Sequence, residues 1–339
     1  MNNSVDNRVE EEVLSTGKLL VTPSPHFKCG TTTPEIMQDV LIALAPAGIV
    51  SCVYFGWRAL ILIVVCVASC VLTEYICRRV MKRRQTIGDF SAAVTGLLLA
   101  YCLPPTISPL IAVFGSIVAI VVVKQMFGGI GMNFANPAIT ARIVLMLSFP
   151  AAMNTWVNPF FYNNVSVDAV SAATPLAQGV EAQSGNILAL LFGNNAGSLG
   201  ETCAIALIFG GIFLIIRGVI KPTIPLCFLG TVAVIAFVTG FAKGYDLEGS
   251  TTFMLYHLLS GGLMLGAIFM ATDYTTSPIT PNGKIVFGIG CGVLTMIMRM
   301  LCNMPEGVSY AILLMNILVP HIEKLTTPRP FGEEKEAAK

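Results

Sequence analysis

Charge is what this chain has least of. Only 12% of its 339 residues are Asp, Glu, Lys or Arg, against 55% hydrophobic, and 20 basic side chains nearly balance 19 acidic ones. A formal net charge of +1 offers no field for nucleic acid or for an acidic partner. Histidine is scarcer still. Of the three, only His257 falls inside an apolar run, with His26 and His321 at the ends, so a haem held by two histidines is not supported. The ten cysteines contain no Cys-x-x-Cys and no Cys–His pair at ligand spacing, which argues against an iron–sulfur or zinc centre built by this chain alone. Cys66, Cys70 and Cys77 share one apolar run and read as small apolar side chains. No Walker loop or nucleotide-binding glycine fingerprint follows a strand, because there are no strand patterns to follow. The first 35 residues lack the basic and apolar regions of a cleavable signal; with Glu10, Glu11 and Glu12 among them, they read as a cytoplasmic arm.

What the chain does have is long apolar runs separated by short polar breaks, more than a soluble core of this size requires. Ten candidate spans cover about 38–56, 58–80, 88–102, 107–126, 133–149, 199–217, 224–241, 251–270, 283–301 and 306–321. The basic cluster Arg78, Arg79, Lys82, Arg83 and Arg84 lies between the second and third, and Lys324, Arg329, Lys335 and Lys339 follow His321. Both segments are cytoplasmic by the positive-inside rule. Counting from them puts both termini inside, together with Arg217 and Lys221, and puts the loop of about 150–198 outside. The expected division is an arm at 1–35, a first five-helix unit at 36–150, the outer loop at 151–198, a second five-helix unit at 199–322 and a tail at 323–339.

The two units repeat. Ser91-Ala92-Ala93 aligns with Ser260-Gly261-Gly262, and Thr106-Ile107-Ser108-Pro109 with Thr275-Thr276-Ser277-Pro278, at one shared offset. Five spans per unit force the second to be inverted relative to the first. In both, the third span is short or glycine-interrupted and runs into a proline-containing segment, the best pointer in a sequence to a binding site of an inverted-repeat membrane protein.

In the outer loop stands Ser171-Ala172-Ala173-Thr174-Pro175. Elsewhere Gly128-Gly129-Ile130-Gly131 leads into Asn133-Phe134-Ala135-Asn136-Pro137-Ala138, and Phe269-Met270-Ala271-Thr272-Asp273 precedes Tyr274. Together with Ser24-Pro25-His26, Met37 and Ala43 to Pro46, these segments resemble the membrane subunits of Rnf complexes and of Na⁺-translocating NADH:quinone reductases, over most of residues 24–321. Length and the brief amino-terminal arm favour the D-type member of Rnf over the longer B-type member of the quinone reductase. The resemblance implies an all-α polytopic protein of about ten transmembrane helices in two inverted five-helix repeats, urea-transporter-like.

It also implies that Thr174 carries flavin mononucleotide (FMN) through a phosphoester. Ala172 and Ala173 leave room for the phosphate, and Pro175 disfavours helix at Thr174. Ala172 stands where the family usually has Gly. A second, non-covalent flavin (riboflavin) is implied near the cytoplasmic face, beside Asn133, Asn136 and Asp273. Asn133 and Asn136, three apart at a helix start, would share a face and offer amide groups to a ring with an imide edge. The same residues also suit helix and turn caps, and both roles can hold together.

Arg142 lies inside the fifth span, near the Thr174 loop, and can meet a flavin phosphate or reduced ring, or else pair or snorkel. Glu74 and Lys124 lie near cytoplasmic span ends and are expected to reach water. Glu74 is nonetheless the acid to examine for ion coupling.

The function implied is that of one component, not catalytic alone, of an ion-translocating oxidoreductase of the bacterial cytoplasmic membrane. Electrons moving between ferredoxin and NAD⁺ cross through its flavins and drive Na⁺ or H⁺ outward, with ferredoxin and NAD⁺ bound elsewhere. Implied partners are the Rnf components of the A, B, C, E and G types, a flavin transferase for maturation, and membrane lipid. The competing classes are a channel or solute transporter of the same architecture, which has no need of Ser171 to Thr174, and a purely structural anchor for redox partners.

Overall fold

The computed structural model describes residues 30–160, 176, 187–201, 203–302 and 306–327. The chain divides after Thr32, and the unit beginning at Thr33 holds all the helices that follow. In chain order they are α1 (Thr33–Phe55), α2 (Trp57–Val80), α3 (Ser91–Tyr101), α4 (Pro109–Gln125), α5 (Pro137–Ser148), α6 (Ala204–Ile216), α7 (Thr223–Ala242), α8 (Leu247–Leu259), α9 (Leu263–Met270), α10 (Pro281–Leu301) and α11 (Val308–Thr326). The protein is an all-helical, polytopic membrane protein.

Each of the ten apolar segments contains helix, but the helices are of two kinds. α1, α2, α7, α10 and α11 are long and apolar enough to cross a bilayer, and so are α8 and α9 taken together, as a pair bent by 62°. α3, α4, α5 and α6 are shorter. The 11 residues of α3 rise only about 16 Å, half the thickness of a hydrocarbon core. The bend between α8 and α9 falls at Ser260-Gly261-Gly262, where both glycines have positive φ (69° and 67°), a conformation a side chain resists. The glycine-interrupted third span of the second unit is therefore a real break in the helix.

Close backbone approach holds the long helices together. In α10, a Cβ at Gly288 would come within 2.7 Å of Cys227 Cβ, and one at Gly292 within 2.6 Å of Thr231 Cβ, both on α7. Lipid supplies no hydrophobic push between helices, so such small-residue contacts provide the packing. Exposed apolar side chains such as Leu110, Val80, Phe209, Ile216 and Leu301 form the outer surface, as contact with acyl chains requires.

The helix pairings in the two halves of the sequence are similar. α2 lies against α3 and α4 in the first, α7 against α8 and α10 in the second, and α1 pairs with α6. Two segments are wound as π-helix, Val118–Gln125 at the end of α4 and Gly266–Met270 at the end of α9. Wide turns of this kind mark functional sites. Both lead to the same pocket.

Candidate functional site

The pocket lies where α3 and α5 begin and α4 and α9 end, and it encloses about 830 Å³ including the part open to solvent. Its walls are mostly apolar, with Phe269, Leu214 and Val94 among them, and carry a few converging polar groups, the pattern of a small-molecule site. Asn133 and Asn136 line it together with Asp273, which is far from them in sequence, and so do Ser91, Lys124 and Tyr274.

Asn136 is the N-cap of α5. Pro137 at the first helical position keeps Asn136 extended, and its Oδ1 accepts from the N–H groups of Ala138 (3.0 Å) and Ile139 (3.4 Å). Its Nδ2 donates to the Met270 carbonyl at 3.2 Å, tying the start of α5 to the end of α9. The Asn316 amide, oriented to satisfy both its ends, accepts from the Asn136 N–H at 3.2 Å and donates to the Thr276 carbonyl at 3.1 Å.

Asn133 is placed differently from its expected position. It precedes α5 in irregular chain, because the helix starts only at Pro137, so the two asparagines share a pocket and not a helix face. Its Oδ1 is buried without a protein donor. Asp273 caps a turn, accepting from the hydroxyls of Thr275 (3.1 Å) and Thr276 (3.3 Å). Burial raises its carboxyl above the ordinary value, and those two hydrogen bonds oppose the rise. Capping and pocket-lining coexist here.

Lys124 and Glu74 do not reach water. Lys124 is 2% exposed and Glu74 is fully buried. The Lys124 ammonium donates to Glu74 Oε2 at 2.9 Å and to Ser91 Oγ at 2.6 Å. Gln125 Nε2 (3.0 Å) and the Thr86 hydroxyl (2.9 Å) donate to the other Glu74 oxygen. The segment after α2 folds back over the helix end through Thr86, and α4 turns Lys124 inward between α2 and α3. Treating each span end as solvated overlooks these neighbours. Lys124 thereby brings a positive charge to the pocket wall.

Arg142 lies elsewhere, at the other end of the short helices. It is 5% exposed, its guanidinium pairs with Glu306, and it donates to Ser309 Oγ at 3.1 Å; Glu201 comes within 3.9 Å. Of the roles open to Arg142, the described residues show pairing. Arg299 stands nearby, donating to the carbonyls of His257 (2.6 Å), Ser260 (2.9 Å) and Gly261 (3.3 Å). Glu201, Arg299 and Glu306 were all legible as ionisable residues within expected spans, which marks them as functional candidates. Lys124 carried the same signal but was expected to reach water, and Ser91 carried none, because only packing brings the two together at the pocket.

Ser171, Ala172, Ala173 and Thr174 lie outside the described residues. The pocket sets the unpartnered Oδ1 of Asn133 and the polar side chains of Lys124 and Ser91 among aliphatic and aromatic walls.

The family model described as NQR2, RnfD, RnfE matches residues 20–332. Among curated proteins, the chain is 44% identical over 323 residues to the D subunit of the Na⁺-translocating ferredoxin:NAD⁺ oxidoreductase complex of Acetobacterium woodii, covering 94% of this chain and 96% of that one. It is 40% identical over 326 residues to the D subunit of the proton-translocating ferredoxin:NAD⁺ oxidoreductase complex of Clostridium ljungdahlii, covering 93% and 96%. It is 36% identical over 332 residues to the D subunit of the ion-translocating oxidoreductase complex of Stutzerimonas stutzeri, covering 89% and 93%. A match of this extent, on a chain with this helical membrane fold, places the protein in the NQR2, RnfD, RnfE family.

Proposed function

We propose that this chain is the D-type component of an ion-translocating ferredoxin:NAD⁺ oxidoreductase complex, carrying FMN on Thr174 and a second, non-covalent flavin, riboflavin, in the pocket. The observation that carries the reading is the convergence of Asn133, Asn136 and Asp273, drawn from two units of the chain, on one mostly apolar pocket with an unpartnered acceptor on Asn133. A flavin there supplies reversible electron transfer. The chain's own residues would position it: Asn133 would offer its unpartnered Oδ1 to an imide N–H, Lys124, paired with Glu74, would supply positive charge, and the apolar walls would exclude water. Asn136 ties the start of α5 to the end of α9, and Asp273 holds the turn that follows α9.

The complex sits in the bacterial cytoplasmic membrane with the other Rnf components, and a flavin transferase loads Thr174. The two five-helix units are inverted repeats, which their matching packing supports. Both termini are cytoplasmic and the Thr174 loop is outside. In support, Arg217 after α6 grips Asp39 in α1 through two 3.1 Å hydrogen bonds, and Arg83 of the basic cluster reaches the Gln125 carbonyl beside the pocket. The two relatives named for different ions, at 44% and 40% identity, leave Na⁺ and H⁺ both open for this chain.

In-gel flavin fluorescence tests the attachment. The denatured chain should give a fluorescent band that Thr174→Val abolishes, whereas Thr174→Ser keeps a hydroxyl able to carry the phosphoester. A band persisting in Thr174→Val overturns the assignment.

A further inference from the structure

The second polar centre of the fold surrounds the break between α8 and α9, about two helical turns along α5 from the pocket. Its charged and titratable members come from every element packed there: Arg142 on α5, Arg299 on α10, Glu201 before α6, Glu306 and Tyr310 at the start of α11, His257 on α8, and Cys102 after α3. Two of the charges are well held. Arg142 is engaged by Glu306 and Ser309, and Arg299 by three backbone carbonyls.

Glu201 is not. Its side chain is 10% exposed, it approaches Arg142 only to 3.9 Å, and Oε1 receives no hydrogen bond. That oxygen lies against the bare backbone of the break, since a Cβ on Gly262 would fall 2.9 Å from it. Unsatisfied groups also concentrate here. Among the described residues eight buried side-chain atoms lack a partner, and five of them belong to Arg142, Ser198, Glu201, His257 and Arg299. Arg142 and Arg299 are the cations beside this carboxylate, and its unpartnered Oε1 marks a place that receives a small polar guest. A carboxylate oxygen without a donor is costly as a bare anion in an apolar interior, and a bound cation removes that cost.

We propose that Glu201, at the break between α8 and α9, binds one exchangeable monovalent cation, H⁺ or Na⁺. The ion is gained and lost whole at Oε1. Glu306 keeps Arg142 neutralised in both states, and the positive charge of Arg299 keeps the ion from being held too tightly. Neither a flavin in the pocket nor one on Thr174 is needed for this site, so it stands or falls independently of them.

Dicyclohexylcarbodiimide, an apolar reagent that couples to protonated carboxyls in apolar surroundings, tests it on the purified complex, with adducts located by peptide mass spectrometry. Glu201 should be labelled while a proton occupies the site, with labelling lost as rising pH removes it. Protection by Na⁺ relative to K⁺ at equal ionic strength identifies Na⁺ as a second occupant. Loss of labelling with pH alone identifies H⁺. No adduct on Glu201 at any pH, or one indifferent to both pH and Na⁺, makes Glu201 a fixed structural charge and overturns the proposal.

Discussion

Arg142 shows how one buried side chain can be read in several ways from sequence and in only one from its neighbours. A cation in a span suggests a phosphate, a reduced ring or an ion pair with equal chemical sense. The structure pairs it with Glu306, with Glu201 close by. Removing the shared member should therefore cost more than removing an outer one. Arg142→Leu strands two carboxylates and is expected to lose about 3–5 kcal/mol. Glu306→Gln keeps an acceptor for Arg142, leaves Glu201 its neighbour, and should lose about 1–3 kcal/mol. Thermal unfolding in detergent, followed by size-exclusion chromatography, would show this order; the opposite order would mean that Glu306 and not Arg142 is the hub. Asn136 carries a similar double duty. Asn136→Asp keeps the cap acceptor but loses the donor to Met270, so it should weaken flavin retention less than Asn136→Leu, which loses both.

Among the elements, glycine decides where helices may touch. The interface of α10 with α7 predicts a contrast inside one pair of helices. Gly292→Ala puts a methyl 2.6 Å from Thr231 Cβ and 3.1 Å from the Phe228 carbonyl, and forcing the helices apart should cost about 1–3 kcal/mol. Gly230→Ala, on α7 with nothing within 4 Å, should be neutral or stabilising by up to about 1 kcal/mol. The same thermal assay separates the two. The short helices follow a different logic: Pro137 starts α5, Gly261-Gly262 precedes α9, and the ends of the short helices supply the pocket and the charge network. Sequence showed that the third span of each unit was irregular. It did not show that α5 begins at Pro137, because an apolar window runs through Asn133 to Asn136 without registering the proline that starts the helix.

For the whole molecule, the arrangement of charges predicts sidedness. With exposed Cys302 replaced by Ser, a cysteine at Asn163 should react with an impermeant thiol reagent in intact cells, and one at Lys82 only after the membrane is opened. Reversed labelling would invert the topology and carry the Thr174 loop to the inner face. The bidentate Asp39–Arg217 contact belongs to the same picture: the start of α1 and the end of α6 must lie on one side, as the count of spans requires.

Sequence alone determined the helical membrane class, the ten apolar segments and the family, because apolar run length and short motifs are local quantities that survive without coordinates. It also singled out Asn133, Asn136 and Asp273, which the fold brings to one pocket. Only the tertiary structure decided that Lys124 and Glu74 are a buried pair at the pocket wall, that Asn133 stands outside its helix, and that Glu201 and Glu306 flank Arg142. Those outcomes depend on which helix faces which, and residues 164 positions apart, as Arg142 and Glu306 are, leave no local trace of the contact that burial and the cost of an unpaired charge impose on them.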